Sequence, residues 1–207
     1  MKTKLFIDFD GTMFNTASFK SVMFDIFLKL GFNLTDIQNT YMAECMDYKY
    51  HVERNLERLM KIKSVDENEA KEKIGMMFHK IPDYIFDDTV EVLKSIDQNK
   101  YELNLLTLGD EDFQRKKVDA SFLGKYFDNI YFATDQKWDY LKKLVDENEF
   151  FVLVDDRGDT VENIKKNFPK SLPIEINRPG EEQDLMEQDN TFDGKEISNL
   201  KQLLQYL

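Results

Sequence analysis

Residues 4–12, Lys-Leu-Phe-Ile-Asp-Phe-Asp-Gly-Thr, join a short apolar run to two aspartates and a glycine. The continuous run of Leu5, Phe6 and Ile7 is typical of a strand buried inside a parallel sheet. Gly11 allows the chain to turn sharply directly after this run. We therefore predict a first strand over residues 4–9, with the carboxylates of Asp8 and Asp10 at its end.

The two aspartates need a physical reason for their position. Aspartate is depleted in strands, and a buried carboxylate is costly unless it is paired, hydrogen bonded or bound to a metal. A simple Asp-Gly turn would explain Asp10 but not Asp8, which stands between the apolar residues Ile7 and Phe9. An EF-hand loop is excluded because it spaces its acids differently before the glycine. The pair marks a candidate catalytic or metal-binding site.

After Pro82, short apolar runs alternate with helical patterns of roughly 10–15 residues, as in repeated strand–helix units. We predict four further strands, at residues 102–106, 130–133, 150–154 and 172–176. We predict helices at residues 88–98, 111–123, 137–146 and 160–167, and a last helix over residues 197–204. The predicted fold class is α/β, a doubly wound Rossmann-like parallel sheet whose ligand sites lie beyond the carboxyl ends of the strands.

Residues 15–84 are predicted to be almost entirely helical and to form an inserted domain between core segments 1–14 and 85–207. The apolar positions from Phe19 to Leu30 recur every three or four residues, as on one face of a helix. Two pairs match the capping box that marks helix starts: Thr35 with Gln38, and Ser64 with Glu67. The segment at residues 180–193 carries many acids without Lys or Arg, so we expect a solvated loop.

The composition limits the partners. With 40 acidic and 28 basic residues the net charge is -12, which disfavours nucleic acid or an anionic membrane as a bulk partner. Cys45 is the only cysteine, which excludes an intramolecular disulfide and a cysteine-based zinc site. The apolar run at residues 5–7 is much shorter than that of a signal peptide, and no apolar run of about 18 residues occurs. We expect a cytoplasmic protein.

Four motifs follow one another along the chain. The first is Asp8-Phe9-Asp10-Gly11-Thr12 after a strand; the second is an apolar strand ending in Thr107; the third is Lys137 at the start of a helix; the fourth is the strand at residues 151–154 followed by Asp155 and Asp156. Together, in this order, they resemble the motifs of the haloacid dehalogenase (HAD) superfamily over nearly the whole chain. Trp138 follows the lysine where many members have proline, and Asp155 stands where many have glycine.

Each of the later motifs also has an ordinary interpretation. Thr107 could be a plain strand residue, and Asp155 with Asp156 could cap the next helix, as could Asp159. Lys137 could lie on the surface, as we expect for four other helix lysines: Lys116, Lys117, Lys142 and Lys143. The order of the motifs, each at or just beyond the carboxyl end of a predicted strand, favours the functional interpretation.

The resemblance implies a phosphatase that hydrolyses a small phosphomonoester with Mg²⁺ and carries an α-helical cap. It implies that Asp8 is the nucleophile and Asp10 the general acid and base. Thr107, Leu108 and Lys137 would bind the substrate phosphate. Because a phosphate dianion repels a carboxylate nucleophile, a divalent cation is needed, and Mg²⁺ prefers oxygen ligands. The expected ligands are Asp8, the Asp10 backbone carbonyl and Asp156, with Asp155 as an alternative.

Two other functions stay open. One is a phosphomutase that returns the phosphoryl group to its substrate, and the other is a binding protein that kept the fold and lost turnover. The dehalogenase branch lacks the second acid of the first motif, so the presence of Asp10 favours phosphoryl chemistry. Substrate choice is expected in the helical insertion, with these candidates: Phe14, Asn15, Lys49, His51 and Arg54. The sequence predicts neither the substrate nor the oligomeric state.

Overall fold

The structure is a computed structural model that describes residues 2–46, 49–179 and 194–207. Within these residues six strands form one fully parallel sheet in the order β3-β2-β1-β4-β5-β6. The strands are β1 (Thr3–Ile7), β2 (Tyr101–Leu108), β3 (Asn129–Ala133), β4 (Phe151–Asp155), β5 (Leu172–Ile176) and β6 (Lys195–Ile197). The sheet and its crossover helices confirm the predicted doubly wound α/β fold.

Eight α-helices are present in the described parts of the chain. They are α1 (Thr16–Lys29), α2 (Leu34–Cys45), α3 (Val52–Ile62), α4 (Glu67–His79), α5 (Thr89–Ser95), α6 (Glu111–Ser121), α7 (Lys137–Leu141) and α8 (Gly158–Asn167). Short 3₁₀ helices cover Ile81–Tyr84, Gly124–Tyr126 and Leu200–Tyr206. None of the described helices combines the length and apolar character that crossing a membrane requires. The acidic segment predicted to be a solvated loop, residues 180–193, lies outside the described residues.

The end of the chain differs from the prediction. Ile197, predicted to lie in a last helix, belongs instead to β6, and the helix that follows is a 3₁₀ helix over Leu200–Tyr206. Strand β6 has only three residues, and Lys195 and Glu196 are exposed, so the sequence contains no apolar run that would predict a strand there. Its pairing with β5 comes from the position of the segment at the sheet edge and not from local propensity.

Both predicted helix starts in the insertion were wrong by two residues. Helix α2 begins after Asn33, whose Oδ1 accepts a hydrogen bond from the Asp36 backbone N–H at 2.9 Å. Helix α4 begins after Asp66, whose Oδ1 accepts from the Glu69 backbone N–H at 2.9 Å. Asn and Asp are at least as favourable as Thr and Ser at this position, so the capping-box match gave the wrong residue.

Two chain segments connect helices α1 to α4 to the sheet, one before α1 and one after α4. Backbone hydrogen bonds pair these two segments. The Asn15 N–H donates to the Tyr84 carbonyl at 2.8 Å, and the Phe86 N–H donates to the Met13 carbonyl at 3.0 Å. Phe14 packs at this junction, with ring centroids 5.0 Å from Phe9 and 5.2 Å from Phe19. The insertion thus begins and ends immediately beside the turn that follows β1.

Candidate active site

Three carboxylates meet at the carboxyl ends of β1 and β4. These neighbouring parallel strands pair Ile7 with Val154, and the Asp8 N–H donates to the Val154 carbonyl at 2.9 Å. The register brings Asp8 beside Asp155 and Asp156, and each of the three acids offers an oxygen within 4.8 Å of the others. The carboxyl ends of β1 and β4 thus bring the first and fourth motifs together.

Gly11 makes room for Asp156. Its φ is +66°, in the left-handed region that favours glycine, and a Cβ built on it would lie 2.0 Å from Asp156 Oδ2. No side chain fits at this position without displacing that carboxylate. Gly11 of the first motif therefore leaves space for Asp156 of the fourth motif, and it also allows the turn after β1.

Lys137 lies inside the site and not on the surface. It is the first residue of α7, its side chain is only 1% exposed, and its Nζ lies 2.7 Å from Asp8 Oδ1 and 2.6 Å from Asp155 Oδ2. Burial alone would lower the pKa of this ammonium, but the charges of Asp155 and Asp8 outweigh burial and raise it. Lys137 is therefore positively charged and neutralises part of the acidic cluster.

One lysine does not balance the cluster. Burial, together with the charge of Asp155, raises the pKa of Asp8 to about 7 despite the nearby Lys137. Burial and the charges of Asp8 and Asp155 raise the pKa of Asp156 well above its ordinary value. Such a site carries more negative charge than its own cation offsets, so a bound metal cation would relieve the repulsion. The donor set, all carboxylate oxygen, fits Mg²⁺.

Asp155 differs from the other two acids because the chain already engages both of its oxygens. Lys137 binds Oδ2, and Oδ1 accepts a hydrogen bond from the Arg157 N–H at 3.0 Å. Asp159, a possible helix cap in the sequence, pairs instead with the Arg157 guanidinium at 2.9 Å, and the carboxylate cluster found in the described residues does not include it. This arrangement favours Asp8 and Asp156 as the acids that face a metal.

The Asp10 side chain contacts α6 and is not part of the carboxylate cluster found in the described residues. Lys117 Nζ lies 2.5 and 2.7 Å from its two oxygens, Gln114 Nε2 donates to Oδ2 at 2.8 Å, and Thr16 Oγ1 donates to Oδ1 at 3.1 Å. Burial raises the pKa of the Asp10 carboxyl, but Lys117, Gln114 and Thr16 together lower it below its ordinary value. The carboxylate is ionised in this arrangement.

The prediction that Lys117 is a surface lysine was wrong, because the residue is only 3% exposed. Periodicity of apolar residues alone does not detect a charged residue on the buried face of a helix. A signal was present, since Lys117 stands beside Val118 and four residues after Phe113, and both of these are buried. By contrast, the Lys116 side chain is 48% exposed and pairs with Glu53, as expected for a surface lysine.

Thr107 is completely buried near the end of β2. Its Oγ1 has no hydrogen-bond partner among the residues that the structure describes. A buried hydroxyl without a partner is uncommon, and it costs free energy unless a ligand supplies the missing partner. Leu108 ends the same strand, and its carbonyl accepts a hydrogen bond from Gln114 Nε2 at 2.9 Å.

The insertion contacts the loop that follows β2 through Arg54 of α3. Its Nη1 lies 2.9 Å from Asp110 Oδ2, and Asp110 is the N-cap of α6. Two other residues that the sequence proposed for substrate choice have a structural role: Asn15 caps α1, and His51 caps α3. Arg54 thus joins the insertion to the core through an ion pair.

Comparisons with known proteins agree with this architecture. The family model described as haloacid dehalogenase-like hydrolase matches residues 5–149. A structure from Burkholderia xenovorans LB400, described as a haloacid dehalogenase-like hydrolase, has a TM-score of 0.72 at 13% identity, covering 99% of this chain and 96% of that chain. A 2-haloacid dehalogenase from Pseudomonas syringae pv. Tomato DC3000 has a TM-score of 0.65 at 19% identity, covering 99% and 97%.

The HAD-hydrolase YfnB from Bacillus subtilis, solved with bound magnesium, has a TM-score of 0.62 at 14% identity, covering 100% of this chain and 98% of that chain. At these identities the solved structures support the fold alone. A search of curated proteins found no match. The family model spans well over half of the chain, and the chain therefore belongs to the haloacid dehalogenase-like hydrolases.

Proposed function

We propose that the protein is a Mg²⁺-dependent phosphatase that hydrolyses a small phosphomonoester through an aspartyl phosphate on Asp8. The observation that carries the proposal is the cluster of Asp8, Asp155 and Asp156, whose negative charge exceeds the single positive charge of Lys137 beside it. A site that attacks a phosphate dianion with a carboxylate needs additional cationic charge, and this cluster provides the oxygen ligands for it.

Asp8, Asp156 and the Asp10 backbone carbonyl would hold the metal, with Asp155 as the alternative carboxylate. When bound, Mg²⁺ would neutralise negative charge on the carboxylates and on the phosphoryl oxygens. The magnesium bound in the structure of YfnB from Bacillus subtilis supports the choice of this cation. Asp155, engaged by Lys137 and by the Arg157 N–H, would mainly hold Lys137 in place.

In the first step a carboxylate oxygen of Asp8 attacks phosphorus while the ester P–O bond breaks. The leaving alkoxide takes a proton from Asp10. The Thr107 hydroxyl donates a hydrogen bond to a nonbridging phosphoryl oxygen, and the adjacent Leu108 also helps to bind the phosphate. In the second step Asp10 accepts a proton from water, which attacks phosphorus and releases inorganic phosphate and free Asp8. The arriving dianion raises the pKa of Asp10 and so favours the protonated form that the first step needs.

The helical insertion would act as a cap over this site. Its entry and exit segments meet beside the turn after β1, and Arg54 reaches Asp110 at the loop after β2. A cap closed by such contacts would exclude water during phosphoryl transfer and would present side chains to the leaving group. We infer that residues 15–84 select the substrate, and that Arg54, which pairs with Asp110, contributes to this selection.

Two neighbouring reactions within the family compete with this proposal. A dehalogenase would release halide from a 2-haloacid, and a mutase would return the phosphoryl group to its substrate. The Asp10 carboxylate, positioned by three side chains, favours proton transfer to and from a phosphoester leaving group over dehalogenation.

The deciding experiment assays the purified protein with Mg²⁺ against phosphorylated sugars, nucleotides and small acids, and against 2-chloropropionate. We expect Mg²⁺-dependent release of phosphate and no chloride. Chloride release without a metal would contradict the proposal, and a requirement for a bisphosphate activator would favour the mutase.

A further inference from the structure

The Asp10 carboxylate forms an ion pair with Lys117. Proton transfer by Asp10 does not by itself require this ion pair. We propose that Lys117 is a positioning residue, which fixes the direction of the Asp10 carboxylate so that Asp10 meets the leaving group. This inference rests on the proposed phosphatase function, in which Asp10 transfers the proton.

Lys117 has one acidic partner in the described part of the chain, and its other neighbours include aromatic rings. Among the described residues, Asp10 is the only acid within ion-pair distance of Lys117 Nζ. The rings of Phe9, Phe14 and Phe113 surround the ammonium, with centroids 5.6, 5.4 and 5.1 Å away. Cations interact favourably with aromatic faces at such distances. The rings therefore hold the lysine while its ammonium binds both oxygens of the carboxylate.

A second side chain of the same helix helps to hold Asp10. Gln114 precedes Lys117 by three residues, so both stand on one face of α6. Gln114 Nε2 is shared between Asp10 Oδ2 at 2.8 Å and the Leu108 carbonyl at 2.9 Å. The carboxylate is thus fixed relative to the strand end that presents Thr107.

Without the lysine, the remaining charges would push Asp10 out of place. Burial is the largest cause that raises the pKa of Asp8 and of Asp156, and the charge of Asp10 adds a smaller contribution in the same direction, because the three acids repel one another. Gln114 and Thr16 are neutral donors and do not offset that repulsion. A purely structural ion pair would matter for folding alone, whereas a positioning residue must matter more for substrates whose leaving group needs a proton.

The test compares two phosphate esters in Lys117→Met, with the exposed neighbour Lys116→Met as the matched control. p-Nitrophenyl phosphate has a leaving group that departs as a stable anion, whereas glycerol phosphate needs a proton donor. We expect kcat/KM for glycerol phosphate to fall by about 10²-fold or more, and that for p-nitrophenyl phosphate to fall by less than about fivefold. Lys116→Met is expected to change neither.

Equal losses on the two esters, or no loss, would overturn the proposal. Should Lys117→Met not fold, Lys117→Gln keeps a donor without the charge and is expected to show the same dependence on the leaving group. A crystal structure of the folded variant provides a readout that does not require turnover. We expect the Asp10 carboxylate to have left Gln114 and Thr16, and its retention in place would overturn the proposal. If the wild type releases phosphate from no ester of the wider panel, the proposed function fails, and the crystal structure still tests the anchor.

Discussion

The Lys137 ammonium lies 2.7 Å from the Asp8 carboxylate, and the two side chains are only 1% and 5% exposed. A buried charge whose partner is removed is strongly destabilising, because neither water nor an opposite charge compensates it. The Lys137–Asp8 ion pair therefore contributes both to the stability of the protein and to the chemistry of the site. It predicts how a substitution of Lys137 changes the free energy of unfolding.

We expect Lys137→Met to destabilise the metal-free protein by about 3–5 kcal/mol, because it leaves Asp8 and Asp155 buried without their cation. Urea unfolding measures this difference. The control is Lys142→Met in the same segment, where the lysine is 53% exposed and pairs with an exposed Asp139, and we expect a change of about 0.5 kcal/mol or less. Similar effects of the two substitutions would contradict the assigned position of Lys137.

Thr107→Val removes a buried hydroxyl without changing the size of the side chain. Because Oγ1 has no partner in the described chain, we expect no loss of thermal stability from this substitution. If the hydroxyl donates to the phosphoryl group, kcat/KM should fall by about 10²-fold, as for the loss of one donor in an anion-stabilising site. Thr107→Ser keeps the hydroxyl and should retain most of the activity. A large loss of stability in Thr107→Val would show that the hydroxyl has a structural partner.

Proton and metal binding should compete at Asp8. The folded-state pKa of about 7 lies above the ordinary value of 3.8, so the folded metal-free protein binds more protons than the unfolded chain, and its stability should fall as the pH rises between about 4 and 7. Mg²⁺ binds the deprotonated form, so its affinity should increase at least about tenfold from pH 6 to pH 8. Titration calorimetry and thermal unfolding with and without Mg²⁺ measure both effects. A magnesium affinity that does not change with pH would exclude Asp8 as the titrating ligand.

Gly11→Ala should damage the metal site, because the added Cβ would lie 2.0 Å from Asp156 Oδ2 in a backbone conformation that alanine rarely adopts. We expect this variant to lose the rise in melting temperature that Mg²⁺ gives to the wild type. The matched control is Gly75→Ala on α4, where the new methyl meets nothing within 4 Å. A glycine inside a helix costs roughly 0.5–1 kcal/mol relative to alanine, so the control should be more stable and should keep the magnesium response. An unchanged magnesium response in Gly11→Ala would contradict the assignment of Asp156.

The sheet could be predicted from the sequence wherever burial is continuous. The prediction for residues 172–176 coincides with β5, and β4 is shifted by a single residue, because apolar runs mark strands buried on both faces. Strand β6 could not be predicted, since only Ile197 of its three residues is buried. The starts of α2 and α4 were wrong because several polar residues near each start can serve as the N-cap.

The acids of the candidate site could be located from the sequence because they stand at the ends of apolar runs. Asp8, Asp155 and Asp156 could therefore be predicted as site residues. Because β1 and β4 are parallel, their carboxyl ends lie on the same side of the sheet, and the three acids come together there. Lys117 was missed because its partner is distant in the chain: Asp10 lies 107 residues before it. Such a pairing depends on how α6 packs over the turn after β1, which hydrophobic periodicity does not encode.

The central claim is that Asp8 is the nucleophile of a magnesium-dependent phosphatase. The most direct measurement is phosphate release by Asp8→Asn, which keeps the size of the side chain and removes its charge, with thermal unfolding to confirm the fold. We predict that the wild type releases phosphate only with Mg²⁺ and that the variant, although folded, loses this activity by about 10³-fold or more. Phosphate release by the folded variant at a rate close to that of the wild type would contradict the account.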